Sequence, residues 1–240
     1  MLFRSRGPFY ISYAGSGNYL MLTSDNEFDT AKFASRFVDM NIPGVYVDVG
    51  AGFPTGSYNN ATMFRNAGWK VISVEPNPRM CERFRQCGYD ICQYAAYKED
   101  LGKASFEVHN SADGMGGSQL EGVPLNSSHP GYNPHDHELL VENGHIKLIE
   151  VETLTLNTIL TRHYPEVQHI DILDLDVEGY ELEVFAGLDL KKYNPDVMIV
   201  ENLGYDAAVI GNVLYYDYYK KIGYKIVARA ACNEILMRDE

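Results

Sequence analysis

The hydrophobic pattern changes character at Val45. From there, short apolar runs closed by glycine, proline or an acid alternate with longer stretches whose apolar positions recur at helical spacing. Residues 45–49 read as a buried strand ended by Gly50, 71–74 as a second ended by Glu75-Pro76, and 91–94 as a third. Between them, 57–67 read as a helix stopped at Gly68. Residues 78–87 read as another, with proline in its first turn and Gly88 just past its end. The rhythm resumes with a helix over 153–163, a strand over 170–177, a helix over 180–186 stopped by Gly187, and a strand over 197–200. A helix over 207–222, interrupted by Gly211, leads into a closing antiparallel pair at 224–228 and 234–237. Strands alternating with helices predict βαβ units, hence an α/β chain with a doubly wound, mostly parallel sheet.

Two segments depart from this rhythm. Residues 1–43 read as an N-terminal extension of helix and loop packed on the core. Its helix spans 27–40, with Phe28, Ala31, Phe33, Phe37 and Met40 available for one face. The main domain is then 44–240. Inside it, strands over 104–109 and 146–151 frame a lid-like insertion, 109–147, rich in glycine, asparagine, serine, proline and histidine. A loop of that length within a compact domain is usually functional.

Composition narrows the function. With 240 residues and 45% apolar side chains, one large domain can bury a substantial core. The charge is −13, from 20 basic and 33 acidic residues, and no Lys/Arg cluster stands out, which argues against nucleic acid and anionic membrane surfaces as partners. A neutral or cationic small molecule or glycan suits such a chain better. Cys81, Cys87, Cys92 and Cys232 make neither a CxxC pair nor a zinc-ligand spacing, so they read as reduced thiols. No apolar run approaches the ~20 residues needed to span a bilayer, and residues 1–20 lack a signal-peptide core. A cytoplasmic location is the expectation, with the oligomeric state open and a homodimer allowed.

The candidate chemistry begins at Asp48-Val49-Gly50-Ala51-Gly52, where strand becomes turn. Glycines there let a backbone approach a ligand and adopt positive φ, the next helix start can receive a carboxylate, and Asp48 can hold an amino group. A dinucleotide loop needs a third glycine, but the position it would occupy is Thr55. Glu75 ends the next strand on the same sheet edge, where an acid accepts hydrogen bonds from ribose hydroxyls.

These residues, with Val74-Glu75-Pro76-Asn77-Pro78 and the run Asp176-Val177-Glu178-Gly179-Tyr180-Glu181, resemble the FkbM family of S-adenosylmethionine-dependent methyltransferases over roughly residues 44–237. Gly117-Ser118-Gln119-Leu120 and the stretch 151–160 share the likeness. The resemblance implies a class I methyltransferase fold, a seven-stranded Rossmann-like sheet with an antiparallel C-terminal strand. It also implies methylation of a hydroxyl on a sugar, glycan or small metabolite. Asp48, Gly50 and Glu75 carry over as cofactor contacts, and Ala51, Gly52, Ser57, Pro76, Asn77, Ala95 and Ser118 complete the candidate set. One departure stands out: the family commonly has lysine two residues before the DxEG aspartate, and this chain has Asp174.

Asp176, Glu178 and Glu201, at the ends of neighbouring strands, are the candidate catalytic residues. Three uses compete: a general base or substrate-orienting group among them, a divalent ion such as Mg²⁺ or Ca²⁺ held by three carboxylate or amide oxygens, or, for Asp176 and Glu178, caps on the next helix. No residue is assigned as a metal ligand. Five of the seven histidines (His109, His129, His135, His137 and His145) fall in the insertion, where they read as solvated side chains, with His135 and His137 as a weaker metal or base candidate. Tyr215, Tyr216, Tyr218 and Tyr219 read as packing residues. A catalytically silent protein that binds S-adenosylmethionine or another ligand, and an NAD-dependent oxidoreductase, remain as alternatives.

Overall fold

The computed structural model describes residues 10–14, 19–24, 29–56, 59–109, 119–120, 141–202 and 215–239. Its centre is a parallel block. Strands β3 (Val45–Val49), β4 (Lys70–Val74), β9 (Ile172–Leu175) and β10 (Val197–Glu201) lie in the order β4-β3-β9-β10, all parallel. Nearly every residue of β3, β9 and β10 is buried, as expected of parallel strands covered on both faces. The side chains alternate between two cores. Val47, Val49, Leu173, Leu175, Met198 and Val200 face one way, into a cluster with Leu156, Ile159 and Leu160 of α4 (Leu156–His163) and Val184 and Phe185 of α5 (Glu181–Ala186). Tyr46, Ile172, Val197 and Ile199 face the other. There they meet Phe33 and Ala34 of α1 (Thr30–Ala34) and Ala61 and Phe64 of α2 (Ala61–Asn66). Helices therefore cover both faces, and the chain is a mixed α/β protein.

The sheet is larger and more mixed than the expected seven strands. It has eight, in the order β1-β2-β11-β12-β10-β9-β3-β4. The expected antiparallel C-terminal strand is present: β12 (Asn233–Arg238) runs antiparallel to β10 and to β11 (Tyr224–Ala230). Beyond β11 comes an element absent from the sequence reading. A hairpin of β1 (Tyr10–Ala14) and β2 (Tyr19–Ser24) joins the edge, with β2 parallel to β11. The helix expected over 27–40 is reduced to α1 within the described residues, because the chain turns at Ser35 and Asp39 then accepts the Asn41 amide at 2.9 Å.

A second, four-stranded sheet has the order β5-β8-β6-β7, formed by β5 (Ala95–Tyr97), β6 (Gly102–His109), β7 (Gln119–Leu120) and β8 (Ile146–Thr155). The third strand expected at 91–94 contributes only a parallel bridge, Val74 to Cys92. The chain then leaves the main sheet to pair β5 with β8. Residues 110–118 and 121–140 of the insertion lie outside the described residues, as do His129, His135, His137 and the first part of the helix expected over 207–222. That helix is seen as α7 (Tyr216–Lys221), preceded by buried Tyr215. Three of the four tyrosines pack: Tyr215 and Tyr219 are buried edge to face at 6.0 Å and Tyr218 lies against the core, whereas Tyr216 is exposed.

Helix boundaries follow local chemistry. Helix α3 (Pro78–Gln86) starts where expected, with the Asn77 side chain accepting the Arg79 amide. The helix expected from residue 153 begins instead at Leu156. Thr153–Thr155 complete β8, and Thr155 caps α4 by accepting the Thr158 amide at 3.0 Å. Alternating Val-Glu-Thr-Leu-Thr keeps β periodicity up to that cap. A four-residue helix, α6 (Leu190–Tyr193), capped by Asp189, went unread because one turn carries no periodicity. Thr155→Ala is expected to destabilise the protein by about 1 kcal/mol, read as a lower midpoint in urea unfolding with unchanged slope.

Candidate active site at the carboxyl ends of β3, β4, β9 and β10

The residues singled out in the sequence converge at one end of the parallel block, where open α/β sheets bind their ligands. Gly50 turns the chain after β3 with φ +82°, donating to the Val74 carbonyl at 2.9 Å. A side chain here is impossible on two counts. Positive φ disfavours it, and a Cβ would lie 1.7 Å from the Asp176 carbonyl oxygen. The Asp176 amide in turn donates to Val49 O at 3.0 Å, so the glycine turn and the acidic turn after β9 are in direct backbone contact.

Glu75 closes the other side. Its carboxylate accepts the Gly52 amide at 3.0 Å and the Asn77 amide at 2.7 Å, tying the glycine turn to the start of α3. Ala51 donates to Val74 O at 3.1 Å, and Pro76 and Asn77 form the turn between β4 and α3. Burial pushes the Glu75 pKa up to about 7, against the two amide bonds that lower it.

Beneath the turn lies a pair of facing carboxylates. Asp48 and Asp174 occupy partnered positions on β3 and β9. Asp48 accepts from Asn59 at 3.1 Å and from Ser73 at 3.4 Å. Asp174 accepts from the Tyr46 hydroxyl at 2.6 Å and from Asn60 at 3.2 Å. Burial raises both pKa values, and the Asp48 charge adds to the shift of Asp174. Asn59 also donates to Ala51 O at 3.2 Å, so one amide side chain fixes Asp48 and the turn together. The helix start expected at Ser57 to receive a carboxylate is displaced: α2 begins only at Ala61, and Asn60 is committed to Asp174. Ser57 and Ser118 lie outside the described residues. Ala95 is buried in a small cluster with Phe106, Val151 and Tyr180, on which Val177 of the turn after β9 also packs.

The three candidate acids sit in different surroundings. Asp176, just past the end of β9, is solvent-accessible but crowded by neighbouring carboxylates. Desolvation by the surrounding protein, together with Glu201, Glu178, Asp174 and Glu181, raises its pKa well above the usual carboxylate range. Glu178 holds the left-handed conformation, φ +57°, next to Gly179 at +96°. Glu201 ends β10 and is buried, with the Cys232 thiol 3.7 Å from its Oε1. The capping role considered for Asp176 and Glu178 falls elsewhere. Helix α5 has Tyr180 as its N-cap with no side-chain cap bond, and the amides of Val177 and Gly179 go to Glu181 at 3.2 and 3.1 Å. Sequence reasoning quoted Glu181 in the motif but gave it no role; the i to i+3 spacing from Glu178 was the available signal.

Among the described residues, Asp176, Glu178 and Glu201 are not close enough to share a metal ion. The group that is, His169, Asp171 and Asp196, sits at the opposite ends of β9 and β10. There Asp171 accepts the Val45 amide at 2.7 Å, and Asp196 is bonded to His169 and Arg238.

An α/β sheet that gathers a glycine turn, a strand-end acid and an acidic turn at one edge fits a domain of the methyltransferase kind. The chain belongs to the methyltransferase FkbM domain family, whose model matches residues 48–224, from the first acid of the site to the start of β11. No curated protein matches the chain closely enough to serve as a relative.

Two outcomes follow from this geometry. Gly50→Ala is expected to cost about 3 kcal/mol or more, because strain and a backbone clash coincide. A circular-dichroism melt would show it. The raised carboxylates fix the sign of the pH dependence. A buried acid whose pKa is higher in the folded than in the unfolded state binds its proton preferentially when folded, so its contribution is fully present below the unfolded pKa and is lost as pH rises through the folded one. With Glu75 and Glu181 both pushed up to about 7, Tm should fall between about pH 5 and about pH 8, by roughly 2–4 °C per kcal/mol lost. Glu75→Gln should flatten that slope in differential scanning calorimetry.

Proposed function

We propose that the protein is an S-adenosylmethionine-dependent O-methyltransferase that methylates a hydroxyl of a sugar, glycan or small metabolite. The observation that carries this reading is the Glu75–Gly52 hydrogen bond, which brings the strand-end acid and the glycine turn together at one sheet edge. The strand order β4-β3-β9-β10-β12-β11, with β12 alone reversed within that set, supports a class I arrangement. The family match supports the chemistry.

The residues present suit an adenosyl amino acid. A carboxylate offers about four acceptor sites. Backbone amides engage two of those on Glu75, leaving capacity for a pair of vicinal ribose hydroxyls. Gly50 and Gly52 remove side chains from the path of a close-lying ligand, and Asp48 and Asp174 provide negative charge for an ammonium group. When bound, the cofactor supplies a methyl group on a positively charged sulfur. Asp176 is the residue placed to take the acceptor's hydroxyl proton: it is exposed at this edge, and its neighbouring carboxylates make it a stronger base than an isolated aspartate. Glu178 and Glu201 orient the acceptor. An NAD-dependent reading loses ground to the absent third glycine and to the late start of α2.

Isothermal titration with S-adenosylmethionine and S-adenosylhomocysteine tests the proposal. Binding in about the micromolar range is expected. Glu75→Gln should weaken it on the order of tenfold or more, since hydrogen bonds to a charged acceptor contribute about 1.5–3 kcal/mol each. Absence of heat with either ligand at roughly millimolar concentration would refute it. Binding without methyl transfer to any of a panel of hydroxylated acceptors would point instead to a silent binder.

A further inference from the structure

Three acids lie between the end of β9 and the start of α5: Asp176 is exposed and Glu178 half-buried. The third, Glu181, is 1% exposed. Its Oε1 accepts from the Val177 and Gly179 amides, and its Oε2 accepts from the Tyr215 hydroxyl at 3.1 Å. The first two bonds close the turn on itself around Glu178, whose left-handed backbone costs energy in any residue but glycine. The third reaches across 34 positions of sequence to the residue that begins α7. Tyr215 is itself buried against Tyr219, so its hydroxyl is held in place. The other side of the turn is fixed by Tyr180, buried with Ala95, Phe106 and Val151. Gly50 contacts the Asp176 carbonyl directly, so any displacement of the turn moves the glycine turn as well.

We propose that Glu181 is a positioning residue: through Val177, Gly179 and the Tyr215 hydroxyl it fixes the turn that presents Asp176 and Glu178, and so ties the shape of this sheet edge to the chain entering α7. This rests on the reading of the edge as the methyl-transfer site. Asp176 and Glu178 act on what binds there, whereas Glu181 acts only through them.

The full chain and the variants Glu181→Gln, Glu181→Ala and Tyr215→Phe distinguish the possibilities, with three readouts: hydrogen exchange of the peptide covering 176–180, affinity for S-adenosylhomocysteine, and Tm. Glutamine keeps an acceptor for both amides and offers a donor to Tyr215, so it should retain wild-type exchange and affinity within about threefold. Alanine should speed exchange in 176–180 on the order of tenfold or more, as expected for losing bonds to a charged acceptor, and weaken binding by a similar factor. Tyr215→Phe keeps the ring and should raise exchange in 176–180 by several-fold, with Tm shifted by no more than about 4 °C. Unchanged exchange in both Glu181→Ala and Tyr215→Phe overturns the proposal. So does faster exchange with unaltered affinity, which would leave Glu181 a purely structural role. If Glu181→Ala does not fold, Tyr215→Phe and the recovery by glutamine decide the matter. Failure of the wild type itself to bind would instead remove the methyl-transfer reading on which the positioning role stands.

Discussion

The site depends on one backbone contact. Strands β3 and β9 are parallel neighbours, and their pairing continues past the strand ends, where the Asp176 amide meets the Val49 carbonyl and Gly50 lies against the Asp176 carbonyl. Because no Cβ fits at position 50, two turns that would otherwise diverge are held edge to edge. Glu75 then reaches Gly52. A parallel sheet is well suited to this, since every strand delivers its carboxyl end to one edge and the turns there are adjacent by construction.

That arrangement crowds negative charge. Asp48, Glu75, Asp174, Asp176, Glu178, Glu181 and Glu201 all cluster at this edge. Burial and mutual repulsion both favour their protonated forms, and the fold offsets this mainly with hydrogen bonds, with the Arg65 guanidinium adding its charge near Asp48. Asn59 and Ser73 serve Asp48, Tyr46 and Asn60 serve Asp174, and backbone amides serve Glu75 and Glu181. By contrast, the buried pair of Arg229 and Glu234, at 2.5 Å on the β11–β12 hairpin, shows the chain using a cation where no ligand is needed.

Much of this was legible because it rests on local signals. Strands β3, β4, β9 and β10 announced themselves as apolar runs with glycine or acid at their ends, and Asn77-Pro78 marked the start of α3. Where the reading failed, longer-range pairing decided. Ile91 to Tyr94 has strand composition, but only Cys92 bridges to Val74, because the chain is drawn off to pair β5 with β8. The N-terminal hairpin depends on β11, some 200 positions away in sequence, for its place at the sheet edge, and no periodicity in residues 10–24 encodes that. The Asp48 and Asp174 facing pair was legible as two acids but not as partners, since register between distant parallel strands is fixed only by the packed sheet.

The run of acids from 174 to 181 shows the limit of reading chemistry from residue type. Asp174, Asp176, Glu178 and Glu181 are interchangeable by charge, yet each meets a different fate. Asp174 is turned inward by the pleat and bonded to Tyr46 and Asn60. Asp176, two residues on and just past the strand, stays accessible. Glu178 occupies a left-handed kink that Gly179 helps to form, and Glu181 is drawn under the turn by two amides and a tyrosine hydroxyl. What separates them is which unsatisfied donors lie within reach after folding. Buried amides must find acceptors, and a turn as tight as 177–179 cannot satisfy its own amides within the backbone. One acid is therefore consumed in holding the turn together.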